Sequence, residues 1–126
     1  MKVWLYSLLG LIIFIFLSVR VQHYLISSSD ELTQIINQTD QAVQSKIWLQ
    51  AKTTLHQFEK NWKKTKASWS LLLNHQEVDN IEQSLIRSKR AITAKDYSNA
   101  QLELGSLKNY ITHVPKKEAL NWTNVL

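Results

Sequence analysis

The stretch Asp96–Pro115, "DYSNAQLELGSLKNYITHVP", decides the fold class. Its apolar residues Tyr97, Ala100, Leu104, Leu107, Ile111 and Val114 recur at alternating intervals of three and four. That spacing lines one side of a helix and is incompatible with the every-second-residue pattern of a half-buried strand. Asp96 offers a side-chain oxygen to the first free N–H groups, and Pro115, lacking an N–H, marks the expected end.

Upstream, "EVDNIEQSLIRSKRAITAKD" repeats the pattern with Val78, Ile81, Leu85 and Ile92, and Ser88 shares their stripe. Further back, Leu32, Ile35, Ile36, Val43, Ile47, Ala51, Leu55, Phe58, Trp62, Trp69 and Leu72 continue it. Two helix starts are expected in that stretch, a capping box at Ser28–Glu31 and another at Thr39–Asp40. The chain must turn before Val78 to close a compact bundle. Asn74 followed by Glu77 places that turn near Asn74, with Lys64–Ser68 as the alternative. Beyond residue 27 only Gly105 and Pro115 interrupt the chain, a scarcity of breakers that argues against an all-β fold.

The amino-terminal end reads differently. Val3–Val19, "VWLYSLLGLIIFIFLSV", carries no charge and lies between Lys2 and Arg20. Val3, Trp4, Leu11, Ile12, Phe14 and Phe16 typify a segment that is apolar on every side, the composition of a membrane span. Apolar residues resume after Arg20, so a transmembrane helix is expected from about Val3 to Ile26, with Trp4, Tyr6 and Tyr24 near its ends as interfacial aromatics. No small-residue cleavage pattern follows, which favours an anchor over a cleaved signal peptide. The short Lys2-bearing side favours an inside amino terminus, with the rest of the chain outside the cytoplasm.

The expected architecture is all-α: a membrane anchor over 1–27, then a small antiparallel bundle of three or four helices over 28–126. Trp62, Trp69, Ile81, Leu85, Leu104 and Leu107 are its expected packing residues.

In a short-looped hairpin, residues equidistant from the turn face each other. Ser84 and Leu85 then meet Gly105 and Ser106, where small residues suggest a close backbone approach that Gly105→Leu would overpack. The same count sets His113 beside Glu77. His75, Asp79 and His113 therefore form a candidate metal set, although their spacing matches no established metal motif. Acids at a helix start and a histidine at a helix end also suit the helix dipole with no metal present.

"EKNWKKTKASW" carries Lys60, Lys63, Lys64 and Lys66 around Trp62, a candidate surface for anionic lipid or wall polymer; the plainer reading is a solvated face with its tryptophan in the core. The net charge of +5 is modest, and nucleic acid is not expected as a partner. The chain has no cysteine, which removes thiol chemistry and thiolate metal sites. No nucleophile elbow or phosphate loop is present, so no catalytic residue, cofactor or small-molecule substrate is assigned.

Trp69, the H-x-E-x-D-x-I-E segment (His75, Glu77, Asp79, Ile81, Glu82), the alanine- and leucine-rich last helix, H-x-P (His113, Pro115) and a closing N-x-L (Asn124, Leu126) form one pattern. It resembles domain-of-unknown-function family four-three-six-three, small single-pass proteins of spore-forming Firmicutes. The resemblance implies a mostly helical cell-envelope protein with no established activity. It also implies a membrane partner, since such genes often neighbour a YetF-like multi-pass protein. Gly105 departs from the pattern, which carries alanine or a similar small residue there. A non-enzymatic accessory subunit is the leading expectation, with metal or ligand sensing and anionic-surface binding as alternatives.

Overall fold

The computed structural model describes residues 1–125, with side chains described through Lys116. Four helices follow in order: α1 (Val3–Gln44), α2 (Trp48–Leu72), α3 (His75–Thr93) and α4 (Tyr97–Val125). Each packs against two neighbours, α1 on α2 and α4, and α3 on α2 and α4, so the bundle closes as a ring. The expected all-α bundle is the observed one, with four members.

α1 is 42 residues long, about 63 Å at the helical rise of ~1.5 Å per residue. It passes without a break from the exposed apolar run into the bundle, whose core begins at Leu25. The helix starts expected at Ser28 and Thr39–Asp40 do not occur. Their hydroxyls serve tertiary contacts instead. Ser28 accepts a hydrogen bond from Trp69 Nε1 at 3.0 Å, and Thr39 donates to Thr54 at 2.9 Å. A side chain committed to a neighbouring helix is not free to cap its own.

The two turns at the end farthest from the apolar run share one design. α1 is followed by Ser45 as its C-cap, and the amides of Lys46 and Ile47 return to the carbonyls of Val43 and Ala42. α3 is followed by Ala94 as its C-cap, and the amides of Lys95 and Asp96 return to Ile92 and Ala91. Lys46 and Lys95 both take φ of 55°, the left-handed geometry of this helix stop, which glycine adopts without strain. The matching segments are "AVQSK" and "AITAK". Asp96 then starts α4 by accepting from the Asn99 amide at 3.2 Å.

The third turn lies at the other end. Asn74 has extended backbone and accepts from the amides of Gln76 and Glu77 at 2.7 and 3.3 Å. α2 runs unbroken through Lys64–Ser68, so the turn at Asn74 is the one that forms.

Pro115 does not end α4, which continues to Val125. A proline inside a helix strips one carbonyl, that of the residue four before it, of its donor. Here that carbonyl belongs to Ile111, and Ser29 Oγ of α1 donates to it at 2.9 Å. Gln22 Nε2 then donates to the Pro115 carbonyl at 3.1 Å. The proline is accommodated because α1 supplies the missing donor.

Gly105 also departs from expectation. It is exposed, and a Cβ built there meets nothing within 4 Å. No close helix approach requires it. The small buried residues of the α3 stripe are Ser84, Ser88 and Ala91. The C-terminal "EALNWTNVL", with Trp122, is apolar enough in sequence to suit packing on the bundle or on a partner; its side chains lie outside the described ones.

Candidate functional site

The end of the bundle near Asn74 holds the proposed metal set. Arg87 Nε donates to Glu103 at 2.9 Å and fixes the α3–α4 register. Carried along both helices, that register brings Glu77 and His113 to the same level, and both line one open cleft with Asn74, Asn80 and Tyr110. His75 and Asp79 do not join them; both are exposed and absent from the cleft wall. Among the described residues no group of three or more histidine, aspartate or glutamate side chains is placed to hold a metal ion. The set His75, Asp79 and His113 is therefore corrected to a pairing of level between Glu77 and His113. The physical reason is angular: Asp79 lies two positions past Glu77, about 200° around a helix turning ~100° per residue, so it points elsewhere.

The lysine run resolves around Glu82. Trp62 is buried, and its Nε1 donates to Glu82 Oε1 at 2.9 Å. Lys66 Nζ reaches the same oxygen at 2.8 Å. Partial burial pushes the Glu82 carboxyl up. The hydrogen bonds from Lys66 and Trp62, with the ammonium charges of Lys66 and Lys63, outweigh that effect and hold it below the ordinary carboxylate range. Lys66 is thus engaged with α3, while Lys60, Lys63 and Lys64 are exposed. The carboxylate gives the buried indole an acceptor and ties α2 to α3. A second tie on this seam, Lys89 to Glu59 at 3.4 Å, lies further along.

Trp69 packs edge-on against Trp62, ring centres 5.7 Å apart and planes at 85°. Its indole N–H goes to Ser28, whose own hydroxyl turns back to the Tyr24 carbonyl at 2.8 Å. Ile81, Leu85, Leu104 and Leu107 complete the centre and are all buried.

The apolar half of α1 contrasts with this interior. Val3, Trp4, Leu11, Ile12, Phe14 and Phe16 are all exposed. α1 is long and apolar enough to cross a membrane, and the window that qualifies has none of its residues buried.

The model of the family described as Domain of unknown function (DUF4363) matches residues 19–125. This chain belongs to the DUF4363 family. The matched region starts at the end of the exposed apolar run, so the DUF4363 domain corresponds to the packed part of α1 together with α2, α3 and α4. No curated protein and no solved structure matches the chain.

Two residues that hold this domain together, Ser29 and Gln22, escaped the reading of the sequence, and Glu82 entered it only as part of the family pattern, without its role toward Trp62 and Lys66. A signal existed for Ser29. A proline within a continuing apolar stripe implies an orphaned carbonyl, and a small hydroxyl residue on a neighbouring stripe is the natural donor.

Proposed function

We propose that this DUF4363 protein is a non-enzymatic, single-pass membrane module that acts as an accessory subunit of a cell-envelope membrane protein. Its amino terminus lies inside and its four-helix domain outside the cytoplasm. The observation that carries this reading is α1 itself. One uninterrupted helix is apolar and exposed all round over its first part and striped and buried over its second. Exposed apolar surface of that extent is stable against lipid or another protein and not against water. With no loop between the two parts, the bundle moves with the anchor, as suits a subunit that holds a fixed pose on a partner.

The polar groups inside the bundle support a structural role. Glu82, Ser28, Ser29 and Thr39 are each engaged in contacts that join helices. The family resemblance suggests a YetF-like multi-pass protein as partner.

The test is photo-crosslinking in cells from single positions along residues 3–17 of the full-length protein. A specific adduct of one mass, formed from positions on one helix face, is expected. Release of the protein by alkaline carbonate would remove the anchor. Retention in the membrane without any reproducible adduct would remove the partner.

A further inference from the structure

The α2–α3 turn presents Leu71 at 87% exposure and Leu72 at 37%, between the buried Trp69 and Leu73. Their position along α1 follows from three hydrogen bonds. Thr39 meets Thr54, Glu31 meets Asn61, and Ser28 meets Trp69. Two or three residues beyond Trp69, the turn reaches the level of roughly residues 20–26 of α1, at ~1.5 Å of rise per residue. The Gln22–Pro115 hydrogen bond brings α4 to the same level.

Where a bilayer surface meets α1 follows from thickness. A hydrocarbon core of about 30 Å takes about 20 helical residues, whereas the uncharged run has three fewer, so a core starting at Val3 extends past Arg20 to about Gln22. The headgroup layer beyond it, about 5–8 Å deep, covers roughly the next four or five residues. That is the level of the turn.

Resting on the membrane-anchor reading, we propose that the α2–α3 turn inserts Leu71 and Leu72 into the interfacial layer of the bilayer that α1 crosses, giving the domain a second point of membrane contact. The occupant follows from continuity: the leucines extend the apolar surface of α1 sideways at its bundle end. Charge does not select it. Arg20 and Lys116 share this end with Glu77 and Asp79, two charges of each sign. The contact is apolar, forms on zwitterionic lipid and resists salt. Two contacts off one axis fix the tilt of the bundle, which a single helix cannot do.

The cysteine-free chain allows a direct test. Full-length Leu71→Cys, Leu49→Cys and Leu11→Cys variants are labelled with a small environment-sensitive fluorophore and reconstituted in phosphatidylcholine vesicles containing nitroxide lipids of known depth. Leu49, at the far end of α2, is 78% exposed and is the matched control. The Leu71 label is expected to be quenched by shallow nitroxides severalfold more than the Leu49 label, equally at low and high salt. Leu11 is quenched by deep nitroxides. Quenching at Leu71 no greater than at Leu49, with Leu11 still quenched, overturns the insertion and leaves the anchor standing. Leu11 unquenched overturns both. A blue-shifted but unquenched Leu71 label assigns the turn to a protein surface, such as a second copy, and overturns lipid contact. Quenching at Leu71 only with anionic lipid at low salt assigns the approach to the lysines and also overturns it.

Discussion

The two parts of α1 share one backbone and differ in everything around it. Residues 3–17 are exposed on every side, while from Leu25 to Val43 one stripe is buried against α2 and α4. The first part is uniformly apolar. In the second, Leu25, Leu32, Ile35, Ile36 and Val43 alternate with solvent-facing polar residues. Helix formation is indifferent to this change, because backbone hydrogen bonding is satisfied within the helix either way. What changes is the medium each part requires, and a uniformly apolar helix does not tell its neighbours where to pack. The join carries Ser28 and Ser29, small and polar, whose hydroxyls bind other helices instead of starting a new one.

The sharpest way to break the comparison is to truncate both parts equally. Ile36→Ala, in the buried part, should cost about 2–5 kcal/mol of bundle stability by leaving a cavity. Ile12→Ala, in the exposed part, should stay within about 0.5 kcal/mol. Thermal unfolding of the full-length protein in detergent, followed by circular dichroism, reads both. Similar losses at the two positions would mean that the exposed run packs on the bundle after all.

Ser29→Ala probes the join. It leaves the Ile111 carbonyl buried beside a proline with no donor, at an expected cost of about 1–3 kcal/mol. Ser29→Thr, which keeps a hydroxyl, should recover part of that loss in the same unfolding measurement. Equal stability of the alanine and native chains would show that water satisfies this carbonyl.

Three backbone substitutions outside α1 should stabilise. Gly105→Ala is expected to add about 1 kcal/mol, since the exposed glycine meets no neighbour and only weakens the helix. Lys46→Gly and Lys95→Gly relieve left-handed backbone, each with a gain of up to about 1 kcal/mol. Equal gains at the two lysines would confirm that the two distal turns are energetically equivalent as well as alike in geometry.

The smallest effect concerns pH. The Glu82 carboxyl is held low in the folded protein, so the stability it contributes is complete above the ordinary carboxylate pKa of about 4.3. It disappears as pH falls through the lowered folded value. Glu82→Gln should therefore reduce the melting temperature slightly at pH 7 and flatten its dependence between about pH 5 and pH 3. An unchanged acid limb would assign the loss of stability to other carboxylates.

Much of the fold was legible because helices announce themselves through spacing. The stripe from Ala100 to Val114 is buried as its period requires, and Asn74 and Asp96 cap the helices they precede. Stops were harder to read. Lys46 and Lys95 end helices without glycine, so the sequence points to a break at Thr39–Asp40 instead. Pro115 looked like a stop, and Gly105 like a contact. Each expectation used a local rule that a neighbour overrode, or that had no neighbour to serve. The candidate metal site failed in the same way: hairpin counting brought His113 to the level of Glu77, but level along an axis does not fix direction around it.

Composition and period by themselves determined that this DUF4363 chain is all-helical, that one segment is apolar on all sides and that the rest forms an antiparallel bundle. These are properties of short stretches, set by spacing and turn chemistry. Tertiary structure decided that α1 is unbroken, that a helix can run through Pro115, and that Glu82 joins Trp62 and Lys66. Those outcomes depend on which donor on one helix meets which acceptor on another. Such pairings form between residues up to 93 positions apart, as Gln22 and Pro115 are, and no local pattern encodes them.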